Sequence, residues 1–318
     1  MDVYELNAGS GEGSGGFPLT RKNGIDGKLA VALGSFDGVH LGHAALITRA
    51  VRCARERGLR AAVWTFRESS PTLPGKSGGA ITTLSEKLSL IASLGADIAL
   101  IEDFSRVRDY TPEQFVKGLL VDKAHAEVAV CGFNFRFGRM GLGDCDTLRE
   151  LMGDEGCIIV PPVYKNGHLV SSTAIRLFIG AGEMENAAEM LGHPFFIDFP
   201  VVHGKQLGRT IGIPTINQNF LEGHIIPKSG IYACTVDIGG DIFLGVSNVG
   251  VRPTIKNDGH LINCETHIIN YSGWLYGKNI KVSFYKRLRD EMRFPDIDSL
   301  KEQIKRDICA AKEYFSDK

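Results

Sequence analysis

The feature that most limits the possible folds is a regular alternation of short apolar runs and amphipathic helical patterns, from residue 28 to about residue 180. Residues 29–33 form the first apolar run, and residues 43–57 follow with apolar side chains three and four positions apart. Further apolar runs cover residues 61–66, 97–101, 127–131 and 157–160. This pattern predicts an α/β domain with a doubly wound parallel sheet of about five strands and helices on both faces. Its ligands should bind at the carboxyl ends of the strands.

The pattern changes after about residue 185. Short runs rich in β-branched and aromatic residues follow, separated by Gly, Pro, Asn and Asp. They predict an antiparallel barrel or sandwich, and residues 297–315 predict a closing helix. The sequence therefore predicts two domains, over residues 1–185 and 186–318. Residues 9–16 are glycine and serine except for one glutamate, so residues 1–27 are expected to be partly flexible.

Charge and cysteine content exclude several classes of protein. The 318 residues carry 36 Lys and Arg against 37 Asp and Glu, a formal net charge of −1. A nearly neutral chain lacks the basic field typical of proteins that bind nucleic acid or anionic membranes. Seven widely spaced cysteines argue against a disulfide framework or a zinc site, and no apolar stretch is long enough to span a bilayer. We expect a cytoplasmic protein with small-molecule substrates, no nucleic-acid or membrane partner, and a monomeric or weakly homo-oligomeric state.

The first predicted strand runs into a turn with three glycines and two histidines. Gly34, Gly38 and Gly42 let the backbone approach a phosphate closely, and the helix that follows directs N–H groups at it. His40 and His43 are three residues apart at the start of that helix, so their side chains share a face. Two imidazoles there can donate hydrogen bonds to phosphate oxygens in a transition state. A metal site stays open, although no third ligand is near in the sequence.

A second glycine-rich segment lies in the β-rich half. Gly204, Gly208 and Gly212 again permit a close backbone approach to an anion. Thr215 and Asn217 are two residues apart, so on a strand their side chains point the same way. A hydroxyl and an amide oxygen suit a hard cation such as Mg²⁺, which prefers oxygen ligands and shares its shell with ATP phosphates. Each element alone has a plainer interpretation, a glycine-rich hairpin without ligands.

Residues 34–43 read Gly-Ser-Phe-Asp-Gly-Val-His-Leu-Gly-His, which resembles the signature of the HxGH nucleotidyltransferases. More narrowly, they resemble the adenylyltransferase half of the prokaryotic-type bifunctional riboflavin kinase/FAD synthetases. Residues 82–87, 132–138 and 171–176 resemble three later motifs of that half, in the same order. The resemblance implies catalytic roles for His40 and His43. It also implies nucleotide or flavin contacts for Gly34, Phe36, Asp37, Gly38, Gly42, Asn134, Ser171, Ser172, Thr173 and Arg176.

Residues 208–217 read Gly-Arg-Thr-Ile-Gly-Ile-Pro-Thr-Ile-Asn, which resembles the hallmark of the riboflavin kinase half of the same family. Residues 245–254, 265–267 and 286–294 resemble its later motifs. The resemblance implies an antiparallel barrel, Thr215 and Asn217 as ligands of Mg²⁺, and Glu265 as the general base. It also implies ATP or flavin contacts for Gly204, Lys205, Gly208, Arg209, Asn248, Arg287, Arg289 and Phe294.

The resemblance extends from residue 28 to residue 315 and implies two reactions. The second domain would phosphorylate riboflavin to FMN with ATP, and the first would adenylylate FMN to FAD with release of pyrophosphate. One segment departs from the family: residues 65–71 read Thr-Phe-Arg-Glu-Ser-Ser-Pro, where the family has Thr-Phe-x-Pro-His-Pro. Three alternatives stay open: a kinase with a weak or silent first half, another nucleotidyltransferase such as one acting on pantetheine phosphate, and a non-catalytic flavin or nucleotide sensor.

Overall fold

The computed structural model describes residues 1–5, 25–67, 78–204, 208, 211–252 and 261–316. It divides into two compact units, Met1–Ser172 and Thr173–Lys318. Of the start that the sequence predicts to be partly flexible, residues 2–5 form a strand, and the Gly/Ser-rich run lies outside the described residues. None of the helices in the described ranges has the length and apolarity that a bilayer span requires.

The first unit is built on a parallel sheet, as the alternating sequence predicts. Its strands in the described residues are β1 Asp2–Glu5, β2 Leu29–Leu33, β3 Arg60–Phe66, β4 Ile98–Glu102, β5 Ala126–Gly132 and β6 Cys157–Val160. They lie in the order β1-β4-β3-β2-β5-β6, so β3 and β5 flank β2. The sequence predicts about five of these strands and misses β1, whose four residues are too few for a periodic pattern.

Helices cover both faces of this sheet. They are α1 Leu41–Arg57, α2 Leu84–Ser93, α3 Phe104–Val107, a π-helix Gln114–Lys123 and α4 Cys145–Met152. Short 3₁₀ turns at Arg139–Gly141 and Asp154–Gly156 and a hairpin of β7 Tyr164–Lys165 and β8 His168–Leu169 complete the unit. Leu29, Val31 and Leu33 share an apolar core with the π-helix and α4, whereas Ala30 and Ala32 share one with α1. Because β2 is buried on both faces, it forms the continuous apolar run seen in the sequence.

The second unit is an antiparallel barrel. Its elements are α5 Ser172–Ala181, α6 Met184–Leu191, β9 Phe195–Pro200, β10 Thr215–Asn219, β11 Gly230–Ile238, β12 Asp241–Arg252, β13 Leu261–Ile268, β14 Asn279–Arg289 and α7 Ile297–Ser316, where α5 starts in the first unit. The strands lie in the order β10-β13-β12-β11-β14-β9. Just after β9, the Val202 N–H donates to the Asn217 carbonyl of β10 at 2.8 Å, so the two edges of the sheet meet. The predicted barrel is therefore confirmed over the alternative of a sandwich.

A buried glutamine strengthens the closure of the barrel. Gln218 of β10 is fully buried, and its Nε2 donates to the carbonyls of Phe199 in β9 and Ile280 in β14, at 2.7 Å each. β10 lies at one end of the strand order, and β14 and β9 lie at the other. This side chain consequently ties the two ends of the sheet together, and it fixes β10, which carries both predicted cation ligands.

Candidate active sites

The turn between β2 and α1 has a backbone conformation that few residues adopt. Phe36, Gly38 and Val39 have φ values of 50°, 79° and 40°. A Cβ at Gly38 would lie 3.0 Å from the Ile81 side chain, so both the left-handed conformation and the lack of space require glycine. Phe36 is buried, and its ring meets the His43 ring edge-on with centroids 5.2 Å apart. Strained backbone held by tight packing is typical of functional sites.

The two histidines predicted from the sequence lie together at the start of α1. Nδ1 of His40 accepts a hydrogen bond from the backbone N–H of His43 at 3.2 Å, so His40 is the N-cap of the helix. The imidazole rings stack, with centroids 3.6 Å apart and an interplanar angle of 14°. Because Nδ1 accepts, the proton of the neutral His40 ring lies on Nε2, which can donate to a ligand oxygen. A Cβ at Gly42 would lie 3.1 Å from His40 Cε1, so glycine there leaves room for the ring.

Asp37, a predicted nucleotide contact, has hydrogen-bond partners inside the protein. It is 2% exposed, and its Oδ1 accepts from the backbone N–H groups of Ile81 and Thr82 at 3.0 and 3.1 Å. The Gly38 N–H donates in turn to Thr82 Oγ1 at 3.0 Å. These bonds hold the turn between β2 and α1, here called the histidine turn, against the segment ahead of α2. Asp37 therefore positions the turn, and its contact with a nucleotide stays a prediction.

A buried lysine joins the carboxyl ends of β2 and β3. Lys87 of α2 is 1% exposed, and its Nζ donates to the carbonyls of Ser35 and Phe66 at 3.1 and 2.9 Å. The Thr65 hydroxyl donates to the same Ser35 carbonyl at 3.0 Å. Buried charge is retained only where polar groups compensate it, so these bonds hold the two strand ends in one arrangement. The sequence predicts no separate role for Lys87, because a lysine on an amphipathic helix is typical of a solvated face.

Replacing Lys87 with methionine is expected to lower the free energy of unfolding of the first unit by about 2 kcal/mol, because the Phe66 carbonyl loses a donor while the Ser35 carbonyl retains the Thr65 hydroxyl. Urea unfolding followed by the fluorescence of Trp64 measures this in a Trp274→Phe background, since the chain has two tryptophans. Lys117→Met is the matched control: its exposed ion pair with Glu113 predicts a loss below about 0.5 kcal/mol. Equal losses for the two variants would contradict the role given to Lys87.

The other predicted residues of the first site follow β5 in the sequence or belong to the start of α5. Asn134 is exposed in the turn after β5, the strand that pairs with β2. The Ser172 hydroxyl, at the start of α5, donates to the backbone carbonyl of the histidine turn at Asp37, at 3.1 Å. The remaining predicted contacts are Ser171, just before α5, and Thr173 and Arg176, within it. The described residues contain no group of three or more His, Cys, Asp or Glu that could hold a metal ion, so a metal at the histidine pair gains no support.

In the second unit, three predicted side chains form a row across three strands. Glu265 of β13 pairs with Asn217 of β10 on one side and with Asn248 of β12 on the other. Directly opposed residues of antiparallel strands project from the same face, so the carboxylate lies between the two amides. Oδ1 of Asn248 is buried and accepts no hydrogen bond from the described residues, which suits an atom that meets a ligand donor.

Asn263 contacts two of these side chains, although the sequence did not indicate it, and the four residues Asn217, Asn248, Asn263 and Glu265 form the Glu265 cluster. Asn263 is 5% exposed, and its Nδ2 donates to Asn217 Oδ1 at 3.3 Å and to Glu265 Oε1 at 3.2 Å. Since it precedes Glu265 by two residues, both side chains project from the same face of β13. The polar residues at alternate positions, Asn263, Glu265 and His267, are the signal that could have indicated it.

Gly204 and Gly208 pack against the two predicted cation ligands. A Cβ at Gly204 would lie 2.5 Å from Nδ2 and 2.6 Å from Oδ1 of Asn217. A Cβ at Gly208 would meet the Ile213 carbonyl and lie 3.5 Å from Thr215 Oγ1. The backbone at Gly204 therefore approaches the Asn217 amide more closely than a side chain allows, and the Ile213 carbonyl leaves no room for a side chain at Gly208. Two further predicted contacts, Lys205 and Arg209, lie outside the described residues.

Two arginines that the resemblance assigns to substrate binding have partners within the second unit. Arg289 donates from Nε and Nη2 to the buried carboxylate of Asp307 at 2.8 and 2.6 Å, which joins β14 to α7. Arg287 donates to the Ser229 carbonyl and to the Asp290 carboxylate. These bonds give both arginines a structural role, and their contacts with substrate stay predictions. The third predicted residue of this region is Phe294, which is half-buried in the segment that connects β14 to α7.

Comparison with known proteins matches both halves of the chain. A family model described as FAD synthetase matches residues 22–174, and one described as riboflavin kinase matches residues 191–315. The two matched ranges correspond to the segments that contain the histidine turn and the Glu265 cluster.

Curated relatives and a solved structure are similar over nearly the whole chain. Bifunctional riboflavin kinase/FMN adenylyltransferases from Bacillus subtilis (strain 168) and Escherichia coli (strain K12) are each 36% identical, over 91% and 90% of this chain and 93% and 92% of their own. The Listeria monocytogenes protein of the same description is 33% identical over 94% of this chain and 96% of its own. A crystal structure from Streptococcus pneumoniae, described as a macrolide-efflux protein, is 30% identical with a TM-score of 0.81 and covers 91% of this chain and 95% of its own.

Proposed function

The chain belongs to the family of bifunctional riboflavin kinases/FMN adenylyltransferases, and from that premise we propose where each of its two reactions takes place. The protein is an enzyme that phosphorylates riboflavin to FMN with ATP and adenylylates FMN to FAD. We assign phosphorylation to the cluster around Glu265 and adenylylation to the turn with His40 and His43. The observation that carries the assignment is the pairing of Glu265 with Asn217 and Asn248, in which a carboxylate lies between two amides. Matches to both family models disfavour the sensor and the pantetheine phosphate transferase.

Phosphorylation needs a base and a means of holding ATP. In this proposal Glu265 accepts the proton of the riboflavin 5′-hydroxyl as that oxygen attacks the γ-phosphorus of ATP and ADP leaves. Asn217 and Asn248 flank the carboxylate, so a hydroxyl bonded to it is held from both sides. The backbone at Gly204 and Gly208 lies close enough to this cluster to hold phosphate oxygens through its N–H groups.

The residues of β10 fit a magnesium ion. Thr215 Oγ1 and Asn217 Oδ1 are uncharged oxygen atoms on one strand that can bind a metal ion, and glycine backbone packs against both side chains. Mg²⁺ binds in this manner when substrate phosphates and water complete its octahedral shell. When bound, the cation would neutralise charge on the β- and γ-phosphate oxygens. Thr215 and Asn217 are therefore the proposed protein ligands.

Changing Gly204 to alanine is expected to slow FMN formation about 10²-fold, because the new methyl group displaces the Asn217 amide and small displacements in an active site have effects of that size. The initial rate of FMN formation measures the loss, and the rate of FAD formation from added FMN should stay unchanged. Gly180→Ala is the control, because a Cβ there would contact nothing within 4 Å. An unimpaired Gly204→Ala kinase would contradict the proposed packing of Gly204 against a cation ligand.

Adenylylation needs no covalent intermediate, because the FMN phosphate is itself the nucleophile. One of its oxygens attacks the α-phosphorus of ATP while the bond to the bridging oxygen breaks and pyrophosphate leaves. We assign to His40 and His43 the hydrogen bonds that stabilise the charge on the phosphate oxygens in the transition state. The left-handed backbone of the turn and the N-terminus of α1 would hold the triphosphate, with Gly34, Gly38 and Gly42 in close approach. Asn134, Ser171 and Ser172 are proposed to complete this site, and the nucleotide contacts of Thr173 and Arg176 stay predictions from the resemblance.

The proposed functional domains are residues 1–185 for adenylylation and 186–318 for phosphorylation. The two matched family ranges end at residue 174 and begin at residue 191, which supports a boundary between them. We also propose a cytoplasmic location and a monomeric or weakly homo-oligomeric state without nucleic-acid or membrane partners. The near-zero net charge supports the absence of a general polyanion-binding surface.

Incubation of the purified protein with riboflavin, ATP and MgCl₂, followed by chromatographic separation of the flavins, tests the two reactions together. FMN should appear first and FAD should follow, and a parallel reaction started from FMN isolates the second step. FMN that accumulates in the first reaction, with no FAD formed in either reaction, would limit the activity to the kinase. That result would identify the departure at residues 68–70 as the place to restore the family sequence.

A further inference from the structure

We propose that Asn263 is a positioning residue of the kinase site, which holds both the Glu265 carboxylate and the Asn217 amide in their working orientations. This inference rests on the proposed function, in which Glu265 is the base and Asn217 a cation ligand. Asn263 is assigned to neither task by the motifs that carry the family resemblance. Its amide is nevertheless the group that connects the two side chains, at 3.2 Å from one and 3.3 Å from the other.

The strand register explains how one amide reaches both partners. Asn263 pairs with Asn219 of β10, and Glu265 pairs with Asn217, so Asn263 lies diagonal to Asn217 on the same face. On its other side Asn263 pairs with Gly250 of β12, which contributes no side chain to this face. Asn263 is 5% exposed, so water competes little for the two N–H groups of its amide.

The bond to Asn217 selects which end of that amide meets the cation. An asparagine side chain can rotate by half a turn, which exchanges its carbonyl oxygen and its NH₂ group. Asn217 Oδ1 accepts from Asn263, and its second lone pair stays available for a metal ion. The flipped amide would bring two NH₂ groups together and would turn a donor toward the cation. Asn263 therefore favours the orientation that can bind Mg²⁺.

The bond to Glu265 gives the two carboxylate oxygens different roles. Oε1 accepts from Asn263, which fixes the plane of the carboxylate. Oε2 is then the oxygen that receives the proton of the riboflavin hydroxyl. Because one NH₂ group makes both bonds, the base and the cation ligand are oriented together. Such coupling predicts an effect on turnover larger than on riboflavin binding.

The test is Asn263→Ala, measured as kcat and KM for FMN formation and as the affinity of Mg·ADP by calorimetry. We expect kcat to fall about 10²-fold, since misaligned catalytic groups have effects of that size, with KM for riboflavin within about twofold. Mg·ADP should bind about tenfold more weakly, a loss of about 1.4 kcal/mol. Asn263→Thr keeps one hydroxyl donor and suits a strand, so it should fold and recover part of kcat. Asn186→Ala, which removes an exposed amide bonded to Glu183 near the start of α6, is the control and should keep the wild-type kcat.

The outcomes separate the positioning role from the assignment of the base. If Glu265→Gln loses the kinase reaction while Asn263→Ala retains wild-type kcat and Mg·ADP affinity, the positioning role is wrong and the proposed function stands. If Glu265→Gln keeps the kinase reaction, the assignment of the base fails and the role of Asn263 fails with it. A loss of kcat that Asn263→Thr does not relieve, accompanied by a lowered melting temperature, would reduce Asn263 to a structural residue and overturn the proposal.

Discussion

Glu265→Gln should abolish the formation of FMN from riboflavin and leave the conversion of FMN to FAD intact. Glutamine keeps the size of the side chain and can still accept from Asn263, but its amide cannot take the proton of the attacking hydroxyl. Removal of a general base costs about 10²–10⁴-fold in rate, which makes this one of the two largest expected effects in the chain. The initial rate of ADP and FMN production, with riboflavin and ATP saturating, measures it.

The control for this substitution is Glu302→Gln, on the exposed surface of α7. Glu302 forms an exposed ion pair with Lys305, so its change removes one carboxylate without reaching the Glu265 cluster. Both variants should convert added FMN to FAD at the wild-type rate, which shows that the adenylyl site is intact. Wild-type FMN formation by Glu265→Gln would mean that another group takes the proton, or that the solvent does.

Much of the fold can be predicted from the sequence, because burial imposes a periodic pattern of apolar residues. The strand Leu29–Leu33 is apolar at every position since both faces of the sheet are covered, and it is predictable to the residue. The strand Asp2–Glu5 has four residues and acquires its place only by pairing with Ile98–Glu102. The Gln114–Lys123 helix is π-helical, and its apolar residues resemble those of an α-helix in the sequence. Long-range pairing and unusual helical winding are therefore what local patterns miss.

The functional residues also fall into two groups, those that the sequence indicates and those that it does not. His40, His43 and Glu265 were predicted because family motifs concentrate residue types whose chemistry is recognisable. Lys87 and Asn263 were not predicted for their roles, because each bonds at least one group that is distant in the sequence. Lys87 bonds backbone carbonyls 21 and 52 residues away, and Asn263 bonds a side chain 46 residues away. Only the folded chain reveals such contacts, so positioning residues are harder to predict than reacting ones.

Removal of the two imidazoles should produce the opposite pattern: FAD formation is lost and FMN formation is retained. Each histidine is assigned donor bonds to phosphate oxygens in the transition state, and the loss of one such donor costs about 10²–10³-fold in rate. His43→Ala removes one ring and keeps the backbone N–H that the His40 cap bonds. FAD production from FMN and ATP, followed by chromatography or by pyrophosphate release, measures the effect.

His40 needs a different substitution, because it also caps α1 through Nδ1. His40→Ala removes both the cap and the imidazole, and loss of a cap alone costs about 1 kcal/mol of stability. His40→Ser supplies a hydroxyl that can still accept from the His43 N–H, so it separates the two roles. We expect His40→Ser to fold with near-native stability and to lose FAD formation about 10²-fold.

The stacked rings make the double substitution informative. With centroids 3.6 Å apart, His40 and His43 support each other's orientation, so each single change also disturbs the remaining ring. The double variant His40→Ser/His43→Ala should therefore lose less than the product of the two single losses. His168→Ala, in the exposed hairpin of the same unit, should keep the wild-type rate. If the single variants form FAD at the wild-type rate, the histidines do not stabilise the transition state. If the losses of the two single variants multiply fully in the double variant, the two rings act independently.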